Sequence, residues 1–398
     1  MKLCKKIFYR TFQKVMYFSI PLLPYREPIL LNGNDDIIDV LKKSNTSNVM
    51  LVTGKRIRGH GLTAKLEEKL CKNHIKCTIF DETLQNPTSD NVEDARTLYL
   101  NNHCEAIIAF GGGSVMDCAK ALGARIVKPR KSLKKMQGLI KVCKKLPLLI
   151  AIPTTAGSGS ETTVAAVITD AKTHHKYVIS DFCLIPKYAV ISLEVTVNLP
   201  QQITSTTGMD ALTHAVEAYI GCSRTNKTKK AAEEAVKLIF DNLETAYFDG
   251  NNLEARKNML HASYLAGLAF TKSYVGYVHA VAHTLGGKYG VAHGLANAIL
   301  LPKVLRAYDK HAVKRLAELA KVVNLVSQNV KDEEAANIFI IHIEEMNKKM
   351  NIPSRFDCID INDIPMMAKL AAKEANPLYP VPVLWDREEL EQIYKMCL

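Results

Sequence analysis

Residues 105–126, EAIIAFGGGSVMDCAKALGARI, join a short apolar run to a helical one through three consecutive glycines. The run AIIAF has no polar residue to offer water, which marks a strand covered on both faces, as in a parallel sheet. After Gly111-Gly112-Gly113-Ser114 the apolar positions step through SVMDCAKALGARI at helical spacing, so a helix opens on the turn. Free backbone N–H groups and the positive end of that helix point at one spot, and the missing side chains leave room for a phosphate. The spacing is neither G-x-G-x-x-G nor G-x-x-x-x-G-K-[ST]. Taken alone, the triplet therefore predicts anion-binding geometry without naming the anion.

The pattern extends on both sides. Short β-branched runs, NVMLVT (48–53), KCTIF (76–80) and LPLLIAIP (146–153), alternate with helical stretches, LTAKLEEKLCKN (62–73) and NVEDARTLYLNN (91–102). Such alternation predicts a parallel sheet with crossover helices. A second open turn, PTTAGSGSE (153–161), also follows an apolar strand. Two turns at the carboxyl ends of parallel strands lie where open α/β sheets bind nucleotides. Beyond Leu199-Pro200 strand signals nearly vanish and long helical stretches take over, such as 231–247 and 308–326. The expected organisation is an N-terminal arm (1–30), an α/β domain (31–199) and an all-helical domain (200–398).

With 398 residues, 47% hydrophobic and 23% charged, the chain has the composition of a folded protein with a sizeable core. Its net charge of +12 invites a nucleic-acid or membrane partner, but the charge is local. Residues 1–30 hold six basic groups and one acid, and 128–145 hold eight basic groups and none acidic, leaving about −1 for the rest. Neither stretch is interleaved with aromatics that would stack on bases, so a nucleic-acid partner is not expected. The ten cysteines are scattered, without a C-x-x-C pair, which fits a reducing compartment and a cytoplasmic location. Apolar residues between Ile7 and Pro24 are interrupted by Arg10, Gln13 and Lys14, so no membrane span is expected there. The arm reads as an amphipathic segment packed on the body, with attachment to a membrane surface as the alternative.

Asp210 and His214 stand four apart on a helical segment, as do His279 and His283, and His293 follows a glycine-rich turn. Each i,i+4 pair shares one helix face. Burying so many polar groups in an apolar helical region is costly unless they bind something. A divalent metal satisfies them: one carboxylate with several imidazoles suits Fe(II) or Zn(II), and an open coordination position makes such a site catalytic. His60, His74, His103, His174, His175, His261, His311 and His342 lack comparable partners and read as surface or packing residues.

Four motifs, GGGSVMDCAKA, PTTAGSGSETT, GMDALTHAVEAYI and HAVAHTLGGKYGVAHGLANA, together resemble the iron-containing (group III) alcohol dehydrogenase family over about residues 28–390. The resemblance implies a Rossmann-like dinucleotide-binding α/β domain followed by an all-helical metal-binding domain, the architecture shared with dehydroquinate synthase. It implies Asp210, His214, His279 and His293 as metal ligands, His283 beside the metal as proton relay, and Phe270 as one pocket wall. It places Gly112, Gly113 and Ser114 at the pyrophosphate, with Asp117, Thr154, Thr155 and Lys176 along the rest of the cofactor. A homo-oligomer, in the simplest case a homodimer, is expected.

One departure from the family pattern bears on the cofactor. Many members end the first strand in Val-Thr-Asp, whose carboxylate holds the ribose hydroxyls of NAD; here it ends Val52-Thr53-Gly54, with Lys55 and Arg56 next. Loss of the carboxylate beside two cations admits a 2′-phosphate, so NADP joins NAD as an expected cofactor. The expected reaction is reversible hydride transfer between a primary alcohol and the nicotinamide. Glycerol-type dehydrogenases and dehydroquinate synthases, which share the architecture, are the rival class. Substrates of that class carrying carboxylate or phosphate groups call for a basic cluster beside the ligand helices, and none is evident. A basic nucleic-acid-binding protein is the distant alternative and rests on 128–145 alone.

Overall fold

The computed structural model describes all residues except 174–175, 193–194 and 198. Two compact units emerge, one of Pro24–Val197 and one of Met1–Leu23 with Asn198–Leu398. In chain order a first helix, α1 (Leu3–Ser19), is followed by β1 (Ile29–Leu31), α2 (Asn34–Lys43), β2 (Asn48–Val52), α3 (Lys55–Gly59), α4 (Ala64–Lys72), β3 (Lys76–Phe80), α5 (Ser89–Asn101), β4 (Ala106–Gly111) and α6 (Gly113–Val127). The unit closes with α7 (Leu133–Met136), β5 (Gly138–Leu139), β6 (Leu148–Pro153), β7 (Ala165–Thr169), β8 (Lys176–Ser180) and β9 (Tyr188–Val190).

Six strands form one parallel sheet in the order β1-β9-β6-β4-β2-β3. Every residue of β4 is buried, as its apolar run requires. Alternation along the strands sorts side chains to two cores: Met50, Val52, Ile107 and Ala109 pack on the side of α5 and α6, while Val49, Leu51, Ala106 and Ile108 pack on the side of α2 and α4. Helices therefore cover both faces, as expected of a parallel sheet. The chain runs from β2 outward to β3 and then returns to β4 on the other side of β2, so the ends of β2 and β4 flank the switch point where such sheets bind ligands.

A small second sheet, β5-β8-β7, was not evident from the sequence pattern. The basic stretch 128–145 supplies α7 and β5. Its turn is held by Asp181, whose Oδ2 accepts the N–H groups of Val142 and Cys143, both at 2.9 Å. Those bonds hold the Asp181 carboxyl below its ordinary value against the opposing effect of burial.

The second unit continues with α8 (Gln201–Ile220), α9 (Asn226–Phe248), α10 (Leu253–Ser273), α11 (Tyr277–Tyr289), α12 (His293–Ala307), α13 (Val313–Val322), α14 (Asp332–Lys349), α15 (Ile364–Ala375) and α16 (Arg387–Lys395). No strand occurs in it among the described residues. The middle of α8, Gly208–Ile220, is buried throughout, so this helix is wrapped by its neighbours and its polar residues are inside the protein. The expected arm divides: residues 1–23 cluster with the helical unit. Residues 24–31 join the sheet unit, because Arg26 donates to the carbonyls of Ile185 and Pro186 and β1 pairs with β9.

Candidate functional site

In the helical unit, one ligand atom from each of Asp210, His214, His279 and His293 lies within 4.8 Å of the others. Asp210 and His214 come from successive turns of buried α8, His279 from the first turn of α11, and His293 from the first position of α12. The close approach of α12 to α8 depends on Gly294, where a Cβ would stand 2.4 Å from the Thr206 carbonyl oxygen. Any side chain there would push His293 away from Asp210. The His214 ring stacks on Phe270 at 4.1 Å and on His279 at 4.5 Å between centroids, so three turns of helix are locked by aromatic contact. His283 lies alongside, its ring 5.2 Å from that of His293 and 6.0 Å from that of His279.

Three further residues complete the cluster. Glu217 is buried on α8; its Oε1 accepts the Val278 N–H at 2.8 Å and its Oε2 lies 2.6 Å from His279 Nδ1. The carboxyl thus caps the start of α11 and orients the imidazole, leaving Nε2 to face Asp210. Burial pushes the Glu217 carboxyl up to about 7, and burial among neighbouring histidines holds His279 well below its ordinary value, in the neutral form that ligates metals. Asn297 Nδ2 donates to Asp210 Oδ1 at 2.7 Å and stands 3.2 Å from Nε2 of both His279 and His293. Glu374 on α15 places Oε1 2.6 Å from His283 Nδ1 and accepts the Tyr379 hydroxyl at 2.8 Å. Burial acts to raise Glu374, but His283 and Tyr379 hold it below its ordinary value.

Sequence reasoning missed all three. Asn297 carried a signal, since it follows His293 by four residues as His283 follows His279. Glu217 and Glu374 carried none, because an acid on a helix is ordinarily a solvated one. The donor set fits a divalent metal. Three acceptor atoms converge on one neutral amide group, Asn297 Nδ2, which has only two hydrogens to share among them. A cation answers that surplus of lone pairs better than an amide does.

In the α/β unit the two glycine turns lie against each other. Thr154 N–H donates to the Gly111 carbonyl at 3.1 Å; a Cβ on Gly112 or Gly113 would stand 3.3 Å from Thr155 Oγ1 or Ser158 Oγ. The hydroxyls of Thr155 and Ser158 thus pack closely on the turn, and a side chain at either glycine would require them to shift by a few tenths of an ångström. Ser114 Oγ accepts the Asn86 N–H at 3.3 Å, and Lys176 Nζ donates to Asn86 Oδ1 at 2.9 Å, so Asn86 links two expected cofactor residues. Its φ of 61° lies in the left-handed region that asparagine tolerates.

Beneath the turns Lys120 is fully buried. Its Nζ donates to the carbonyls of Ser160 (2.7 Å), Thr163 (3.0 Å) and Ala165 (2.9 Å) and to the Thr163 hydroxyl (2.7 Å). Asp117 accepts the Ser160 hydroxyl at 3.3 Å. Burial pushes Lys120 down and Asp117 up, each opposed by the other's charge, and burial raises Glu161 to about 7. Gly54 lies two residues past β2, where it precedes α3, bridges to Glu82, and has open space where a side chain would go, with the Thr83 carbonyl oxygen at 3.8 Å. Lys55 Nζ lies 3.3 Å from Glu82 Oε1, both side chains exposed.

His60, His74, His103, His261, His311 and His342 join no metal-binding group among the described residues; His174 and His175 lie outside those residues.

Residues 32–192 match the iron-containing alcohol dehydrogenase family, and residues 204–398 match the C-terminal region of the Fe-containing alcohol dehydrogenase family. Over 352 residues the chain is 36% identical to 1,3-propanediol dehydrogenase of Citrobacter freundii, spanning 87% of this chain and 90% of that protein. It is 32% identical to the NAD-dependent methanol dehydrogenase of Bacillus methanolicus over 84% of this chain and 88% of that one. A crystal structure of 1,3-propanediol oxidoreductase superimposes with a TM-score of 0.90, covering 94% of this chain and 99% of the other at 33% identity. Fold and donor set define a metal-dependent dehydrogenase with an α/β nucleotide unit. The chain belongs to the iron-containing alcohol dehydrogenase family, oxidoreductases that act on CH–OH donors.

Proposed function

We propose that this alcohol dehydrogenase interconverts small primary alcohols and aldehydes, with Fe(II) held by Asp210, His214, His279 and His293 and with NADP(H) accepted at least as well as NAD(H). The observation that carries the reading is the convergence of one carboxylate and three imidazoles within 4.8 Å. Bound there, a divalent metal supplies Lewis-acid polarisation of a substrate oxygen, and the nicotinamide supplies or accepts the hydride. Glu217 keeps His279 in the tautomer that offers Nε2. The turn opening α6 at Gly112, Gly113 and Ser114 receives the pyrophosphate, and Asp117, Thr154, Thr155 and Lys176 line the rest of the cofactor. His283, held through Nδ1 by Glu374, exchanges the alcohol proton at Nε2. All ten cysteines are free, which supports a reducing compartment such as the cytoplasm.

His283→Ala retains stoichiometric metal and loses about 10²-fold in kcat, the range of general acid–base work. Metal analysis beside steady-state rates checks it; metal loss equal to that of a ligand variant would make His283 a ligand.

The cofactor reading follows from residue 54. Gly54 presents no carboxylate to a 2′-phosphate, and Arg56 is exposed next to it. Glu82 engages Lys55, but a pair this exposed is weak and competes poorly with a dianionic phosphate. The test is kcat/KM for NADPH and NADH with one aldehyde at saturation and Fe(II) present, in wild type and in Gly54→Asp. The wild type uses NADPH at least as well as NADH, and the variant, whose new side chain has room, shifts towards NADH. A strong wild-type preference for NADH with no change in Gly54→Asp would remove residue 54 from the ribose site.

A further inference from the structure

We propose that α1 docks the enzyme on an anionic lipid surface. The helix precedes the residues that match the family models, which begin at 32. Its inner side is fastened by polar groups. Arg10 donates to the carbonyls of Val381 (2.7 Å) and Pro382 (2.9 Å), and buried Gln13 donates to those of Pro377 (3.0 Å) and Tyr379 (2.8 Å).

The outer side is largely apolar, with exposed Thr11 and Lys14 among its residues. Leu3, Ile7, Phe8, Val15, Phe18 and, in the turn that follows, Leu22 are all exposed, Phe18 to 72% and Leu22 to 85%. Their spacing puts them on one stripe. An ordinary surface helix turns this stripe to the core and its polar residues to water; here the polarity is inverted. By the 100° helical step, Lys14 falls within this face, between Leu3 and Ile7, and Lys5 lies at its border beyond Phe8; both are exposed. No acidic residue occurs before Glu27.

An exposed, largely apolar face that carries cations and no acid marks an interaction surface. A second copy of the chain is a poor occupant, because pairing α1 with itself brings lysines together with no acid on the helix to offset them. A bilayer of anionic lipid satisfies both parts: the acyl boundary receives the phenylalanines and leucines, and the headgroups receive Lys5 and Lys14. The attachment is peripheral, since no helix among the described residues is long and apolar enough to cross a membrane.

The experiment is co-sedimentation of the full-length enzyme with phosphatidylcholine vesicles and with mixed phosphatidylcholine–phosphatidylserine vesicles. Wild type sediments with the mixed vesicles, and added salt releases it. Lys5→Gln and Lys14→Gln each weaken binding by about fivefold. The double variant Phe8→Glu/Phe18→Glu stays in the supernatant while its alcohol oxidation in vesicle-free solution is unchanged, since both side chains face solvent. Failure of wild type to sediment, or equal sedimentation of the double variant, overturns the proposal. So does a wild type of twice the solution mass of the double variant without vesicles, which would make the stripe a contact between copies.

Discussion

His279→Ala folds but binds no stoichiometric metal, and its turnover falls to background. Two effects combine. The variant removes one of four converging donors, and it takes the imidazole partner from Oε2 of buried Glu217, whose carboxyl keeps its backbone N–H contacts at the start of α11. Losing that buried partner costs about 1–3 kcal/mol of stability beyond the loss of metal. The metal-bound wild type also unfolds at a higher temperature than the chelator-treated protein, because a ligand that binds only the native state stabilises it, whereas His279→Ala shows no such difference. Metal content by mass spectrometry, kcat, and thermal unfolding with and without chelator check the three parts. Full stoichiometric metal with full activity would remove His279 from the ligand set.

Lys120→Met destabilises the α/β unit by about 3–5 kcal/mol, the range for removing one partner of a buried charge network. In a unit of this size that corresponds to roughly 10 °C in Tm. Methionine keeps much of the stem volume, so the effect isolates the ammonium. Without it the carbonyls of Ser160, Thr163 and Ala165 lose their common donor, and Asp117 and Glu161 lose the charge that offsets their burial. The segment these bonds fasten continues directly from Thr154, Thr155 and Ser158, which pack on the first glycine turn. KM for the nicotinamide cofactor therefore rises more than kcat falls, measured below the new melting point. Wild-type Tm together with wild-type cofactor KM would show that Lys120 does not hold the turn.

The glycine turn at 111–113 was legible because glycine triplets after an apolar run have few other uses. The Asp210/His214 and His279/His283 pairs were legible because i,i+4 spacing is local. Lys120 stood in the quoted stretch itself, four residues before Ala124, yet nothing there distinguished it from a solvated lysine. Its burial depends on acceptors forty and more residues away. The small sheet of β5, β7 and β8 escaped notice for a related reason: β5 has two residues and takes its identity from pairing with β8.

Local chemistry written in the chain determined the class of fold, the two turns and the residue types suited to a metal, since each depends on periodicity or spacing within a few residues; the missing carboxylate at residue 54 was legible only against the family resemblance. Only the tertiary structure decided which distant groups complete the site. Glu217 reaches His279 across 62 residues and Glu374 reaches His283 across 91. It also decided that α1 is anchored by Arg10 and Gln13 with its apolar stripe turned to solvent. The physical reason is that a hydrogen bond or a buried surface belongs to two partners. A sequence shows each partner's chemistry, but the distance between them, on which the interaction energy depends, exists only in the folded chain.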